Sequence, residues 1–265
     1  MDKFVTEKDL ELLSRDECTF YVLGKILRRQ NTLVLTDHRD LILCYSEPPF
    51  PVWLWTSDGC SDAVKESAWL AVKENLPFSA GYSVNMKYEA AEYFKRRAEE
   101  EGTPVAISEQ MRALVCPKPV NPDIEADGAL HICGPEDVAE GAAMRSLFFA
   151  EIGHEAPPFA HIEETVRGHV EAKTLFFWKN SDGETVSCCN YKTVGSLGCI
   201  GCVLTKREHR RRHYAQNMVY RVSEIIKSTG ATPMLYTDAN YPASNACYEK
   251  VGFKVSGEVC TVSAD

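Results

Sequence analysis

The sequence predicts a mixed α/β (α+β) protein built as two folded domains, and three observations predict it. Apolar residues recur with a strand period of two in some stretches and at helical spacing in others, in both halves of the chain. A proline-rich, acidic stretch without apolar period, CPKPVNPDIEADG at 116–128, separates the halves near Ala126. A length of 265 residues with 45% apolar content is sufficient for a substantial core on each side of it. The expected division is an N-terminal α/β domain over 1–126 and a second domain over 127–265.

In the first domain, residues 32–35, 41–45 and 52–55 are short runs rich in β-formers and read as strands, while 61–74 and 87–101 carry helical spacing. No strand there leads through a basic or glycine-rich turn into a helix. The roles open to this domain are packing, substrate shaping and homodimerisation.

In the second domain, 129–133 reads as a short apolar strand and 136–152 as a helix, with Val138, Ala142, Leu147 and Phe148 among its apolar positions. A further helix is expected over 160–172. Strands follow at 174–178, 185–191 and 197–205, and the turn Asn180 to Gly183, of sequence NSDG, joins the first two as an antiparallel hairpin. Ala215, Met218, Val219, Val222, Ile225 and Ile226 then fall at i, i+3, i+4, i+7, i+10 and i+11, the strongest helical pattern in the chain, ending near Gly230. Residues 233–237 read as strand, 243–251 as a short helix closed by Gly252, and 253–262 as terminal strand.

Bulk properties exclude several functions. With 29 Lys+Arg against 38 Asp+Glu the formal charge is −9, which repels nucleic acid and anionic membrane over most of the surface. No basic segment leads into an apolar run with a cleavage site, and no stretch reaches roughly 18 uninterrupted apolar residues, so the cytoplasm is the expected location. The 11 cysteines are scattered, several inside apolar runs, and are expected to be reduced and mostly buried. Cys199 and Cys202 spell C-x-x-C inside a strand pattern, with no second pair at metal-ligand spacing, so no metal site is expected there.

Functional information concentrates in two stretches. Residues 203–215, VLTKREHRRRHYA, run from a strand end through a basic turn into the strongest helix. A helix start exposes unpaired N–H groups and partial positive charge, which suits a pyrophosphate. Alone, such a run is a solvated basic turn; between an apolar strand and a strong helix it reads as a phosphate site. On the 243–251 helix, Ser244 and Asn245 stand four and three residues before Tyr248, so these polar groups share a face while Cys247 and Val251 turn towards the core.

These two stretches resemble the GNAT superfamily of N-acetyltransferases. The turn is similar to the family's Arg/Gln-x-x-Gly-x-Gly/Ala, with Arg210, Arg211, Arg212, Tyr214 and Ala215 matching common versions and His213 standing at a glycine position; Gly252 and Phe253 match its helix-ending pair. The likeness covers 127–265, with its specific signal in 203–253. It implies a mixed, mostly antiparallel sheet of about six or seven strands flanked by helices, preceded by the smaller α/β domain. It also implies acetyl-CoA as cosubstrate, its pyrophosphate at 210–215 and its pantetheine arm along the backbone of Val203, Leu204 and Thr205 and hydrogen-bonded by Asn245 or its neighbour. Tyr248 is then the general acid for the departing thiolate, a role open to a phenol with an ordinary pKa of about 10.

The implied reaction is direct attack on the thioester by a primary amine of a small molecule or peptide. Many relatives place a carboxylate base four residues before the Val203 position, where this chain has Cys199, and no Asp or Glu lies between Glu184 and Glu208. Glu163, Glu164 and Glu258 are the candidates from elsewhere. His154, Glu155, Phe159, His161 and Glu163 are candidates for lining the acceptor cleft. The alternative reading, motivated by the missing carboxylate and by His213, is a non-catalytic acyl-CoA-binding sensor or interaction domain.

Overall fold

The computed structural model describes residues 1–265. Its two compact units interleave in sequence: one comprises Met1–Ala113, Thr237–Asn240 and Val255–Asp265, the other Leu114–Tyr236 and Tyr241–Lys254.

The first unit opens with α1 (Glu7–Leu13) and α2 (Tyr21–Leu27), followed by β1 (Leu33–Thr36), β2 (Leu41–Tyr45), β3 (Val52–Thr56), α3 (Asp62–Asn75), β4 (Val84–Met86), α4 (Tyr88–Glu100) and β5 (Val105–Val115), whose last two residues fall in the second unit. β1, β2 and β3 form an antiparallel meander, and β4 lies parallel to β3. The terminal strand β11 (Lys254–Ala264) pairs antiparallel with β4, Thr261 opposite Asn85. All five residues of β3 are buried, as a strand covered on both faces requires. α4 buries Ala90, Ala91, Phe94 and Ala98, one helical face, against Leu54, Val84 and Met86 of the sheet. Burial of Phe94 stabilises by roughly 1.5–3 kcal/mol.

The second unit contains β6 (Ala129–Ile132), α5 (Val138–Glu151), α6 (Phe159–Glu171), β7 (Leu175–Lys179), β8 (Thr185–Val194), β9 (Leu197–Thr205), α7 (Tyr214–Ser228), β10 (Thr232–Asp238, its end in the first unit) and α8 (Pro242–Lys250). The strand order is β10-β9-β8-β7-β6; β6 through β9 are antiparallel neighbours and β10 is parallel to β9. The hairpin predicted at Asn180 to Gly183 joins β7 to β8, closed by the Gly183 amide donating to the Asn180 carbonyl at 2.9 Å. β6 to β10 lie in this unit, and β11 pairs with β4 in the first.

The proline-rich stretch at 116–128 belongs to the second unit and packs within it. Its amides at Cys116 and Val120 donate to the carbonyls of Pro233 and Val251, each at 2.8 Å. Gly252, at φ 97°, lets this segment approach closely: a Cβ there would stand 2.9 Å from the Lys118 carbonyl oxygen. Gly198 does the same for α7, since a Cβ would meet Ile226 at 2.4 Å. That close approach seats the last turns of α7 on β9.

One succession runs twice along the chain, over α1 to β5 and again, after β6, over α5 to β11: a helix pair, a three-stranded antiparallel meander, a helix, a strand parallel to the third, a helix, and an 11-residue strand. The sequence shows no repeat because only apolar period is shared, not residue identity.

Candidate functional site

β9 is paired with β10 only over its first half. The parallel register runs from Thr232 opposite Leu197 to Leu235 opposite Ile200 and stops, while β9 continues to Thr205. Residues 201–205 therefore hold β8 on one side and leave backbone groups on the other edge without a β10 partner. Such groups need a hydrogen-bonding partner from elsewhere. Within this half, Asn190 faces Gly201 but Cys188 faces Leu204, so Cys202 and Val203 together oppose Cys189. This is a β-bulge, with Cys202 left-handed at φ 51°.

From Thr205 the chain passes through a 3-10 turn at Arg207–His209 into α7. Arg211 and His213 are left-handed, at φ 61° and 64°. His213 thus takes up the geometry that glycine reaches freely, at a cost of about 1–2 kcal/mol for a residue bearing a Cβ. The start of α7 has no side-chain cap and no acidic residue in its first turn, so the amides of Tyr214, Ala215 and Gln216 lack intrahelical acceptors. Asn217 fastens the turn: its Nδ2 donates to the carbonyls of His213 (3.1 Å) and Ile124 (2.9 Å).

The arginine run divides in two. Arg211 and Arg212 are exposed. Arg210 Nη2 and Arg207 Nε instead grip the two oxygens of Glu151, at 2.7 and 2.6 Å, and hold that carboxyl below the usual range. Arg210 Nε also donates to the Thr205 carbonyl at 3.1 Å. Leu204 and Tyr214 bury their side chains in the core, which leaves only their backbone groups for a ligand. His209 Nε2 lies 3.1 Å from Glu184, and its buried Nδ1 has no partner.

On α8 the face shared by Asn245 and Tyr248 is a buried one, a correction to the expectation that it turns away from the core. Tyr248, 7% exposed, packs with Tyr214, Met218, Val251 and Phe253, its ring 6.1 Å from that of Phe253. The apolar surface offered by Tyr214, Met218 and Phe253 accounts for this, since a large ring gains more from burial there than from water. Burial pushes the phenol well above its ordinary value, opposed in part by a hydrogen bond with Ser244. The side chain is therefore held in its proton-donating form.

The comparisons with known proteins fall on this geometry. Residues 180–262 match the model of the family described as FR47-like protein. A solved acetyltransferase of the GNAT family from Colwellia psychrerythraea superposes with a TM-score of 0.64 at 10% identity, over 100% of this chain and 99% of its own. GCN5-related N-acetyltransferases from Sphaerobacter thermophilus and Kribbella flavida each give 0.65, at 13% and 12% identity, over 96% and 95% of this chain and 90% and 95% of theirs. The fold is that of the GNAT acetyltransferases. No curated protein matches the chain by sequence. The family-model match thus covers the half-paired strand β9, the arginine turn, α7 and α8.

The candidate bases stand on α6 and β11. Glu163 is paired with Arg167 on α6, Glu164 is exposed on the same helix, and Glu258 is paired with Arg112 at 2.9 Å in the first unit. His154, Glu155, Phe159 and His161 lie exposed between α5 and the first turn of α6. All 11 cysteines are free thiols. Away from Cys199 and Cys202, His131, Cys133 and Asp137 bring donor atoms within 4.8 Å of one another. Asp137 there already accepts from the Gly134 amide (2.8 Å) and pairs with His131 (2.7 Å), which suits the turn entering α5.

Three residues with site contacts carried no sequence signal. Glu151 holds two arginines, Asn217 ties the turn to the proline-rich segment, and Arg145 on α5 reaches the bulge, its Nη1 3.1 Å from Cys202 Sγ. Each acts across a long chain separation, where local pattern is silent.

Proposed function

We propose that this chain is an acetyl-CoA-dependent N-acetyltransferase acting on a primary amine of a small molecule or peptide. The observation that carries the reading is the half-paired strand β9, whose open edge leads into an uncapped helix start with no acid in its first turn. The residues present fit the cosubstrate: the amides of Tyr214 and Ala215, with exposed Arg211 and Arg212, suit a diphosphate, and the open edge of Val203 to Thr205 suits the amides of an extended arm. Acetyl-CoA supplies the thioester.

At the bulge, backbone N–H groups stabilise the negative charge that develops on the thioester oxygen. Tyr248 gives its proton to the sulfur as the carbon–sulfur bond breaks, and the proton lost by the amine nitrogen restores the phenol through solvent. The products are an amide and CoA. A second reading, an acyl-CoA-binding protein without turnover, rests on the absence of any Asp or Glu between Glu184 and Glu208. An assay of thiol release from acetyl-CoA across a panel of primary amines separates the two. Amine-dependent release is expected; saturable CoA binding without release from any amine would favour the second reading.

A further inference from the structure

Arg145 lies on α5 with its guanidinium against the β9 bulge, 3.1 Å from Cys202 Sγ, and its central carbon stands 5.7 Å from the centroid of the Phe149 ring. It is partly buried. Unlike Arg167, Arg207 and Arg210, it forms no ion pair with a carboxylate. Cys202 does not supply the missing negative charge, because burial pushes its thiol above the ordinary value and Arg145 only opposes that shift. A guanidinium removed from water without a counter-ion is costly, and structures keep one where an anion arrives to complete it. Its planar fork matches a carboxylate, and a single positive charge matches a monoanion.

We infer that Arg145 binds the carboxylate of the acyl acceptor, so that the acceptor is an amino acid rather than an uncharged amine or a polyamine. This rests on the transferase reading of the same site and adds the substrate class to it. The bulge is where the thioester carbonyl is expected, and an α-amino acid carries its nucleophilic nitrogen two bonds from the carboxylate carbon. Anchoring the carboxylate on α5 therefore brings the nitrogen towards Val203, with Phe149 flanking the guanidinium.

The test compares thiol release from saturating acetyl-CoA with alanine against ethylamine, and with phenylalanine against phenethylamine, in the wild-type chain and in Arg145→Met. Wild type is expected to use each amino acid about 100-fold better in kcat/KM than the matched amine. Arg145→Met should lose about that factor with the amino acids, mainly through KM, lose at least tenfold less with the amines, and keep CoA affinity, which also reports correct folding. Arg145→Lys should recover part of the loss. Equal use of amino acids and amines by wild type, or an equal loss with both in Arg145→Met, overturns the assignment. So does a changed preference between acetyl-CoA and succinyl-CoA without an acceptor effect, which would put Arg145 on the acyl side. Turnover confined to amines lacking a carboxylate defeats only the Arg145 inference, whereas no turnover with any acceptor defeats the transferase reading beneath it.

Discussion

Replacement of Ala215 by Asp is expected to weaken CoA binding by about 100-fold while leaving the protein as stable as before or more so. Ala215 is the second residue of α7 and only partly buried, so a carboxylate is accommodated there. Negative charge in the first turn of a helix is favourable by about 0.3–1 kcal/mol, since it faces unpaired amides and the positive end of the dipole. The same charge repels a diphosphate seeking those amides, and like charges brought together in an interface cost several kcal/mol. The opposite signs make the variant diagnostic. Calorimetric titration should record lost affinity, and thermal unfolding an unchanged or raised midpoint; parallel loss of both would mean a packing defect instead.

Tyr248→Phe has the second large effect, and it falls on turnover. Removing a general acid costs on the order of 100-fold in rate, whereas the phenylalanine ring keeps the packing against Tyr214, Met218 and Phe253. CoA affinity should therefore remain within about twofold, and stability within about 1 kcal/mol, the net worth of one hydrogen bond. Because burial raises the phenol's pKa, its neutral form persists as pH rises. The wild-type rate should then increase with pH as the acceptor amine loses its proton, with no alkaline decline from Tyr248 up to about pH 10. Equal losses in affinity and rate in Tyr248→Phe would make the residue structural.

What could be read in the sequence follows physical range. β2 and β9 match their expected spans, 41–45 and 197–205, because each is an apolar run closed by polar residues. α7 emerges from its long helical period, and its start, hence the arginine turn, comes with it. β4 has three residues and α1 and α2 seven each, too few to show a period. β5 is broken by Ser108, Glu109 and Gln110, which hide its alternation. The pairing of β11 with β4 could not be read, since strand period says which residues are buried but not which strand lies alongside.

The site divides in the same way. The open start of α7 and the tyrosine four residues after Ser244 are local facts. The bulge at Cys202, the grip of Arg207 and Arg210 on Glu151, and the contact of Arg145 with Cys202 join residues 14 to 59 positions apart. The burial of Tyr248 depends on Tyr214 and Met218 of another helix. His213 illustrates a different limit: its residue type departs from the glycine of the family turn, yet its backbone adopts the left-handed conformation that glycine would.

The proposed chemistry requires the amides opening α7 to hold a diphosphate. The other helix in the equivalent place of the succession, α3, carries Asp62 in its first turn, a charge that opposes a diphosphate there. Calorimetric titration of the whole chain with CoA is the most direct measurement. Saturable binding of one CoA per chain, lost in Ala215→Asp, is expected; absence of saturation at millimolar CoA, or undiminished binding by that variant, would rule out a diphosphate at this helix start.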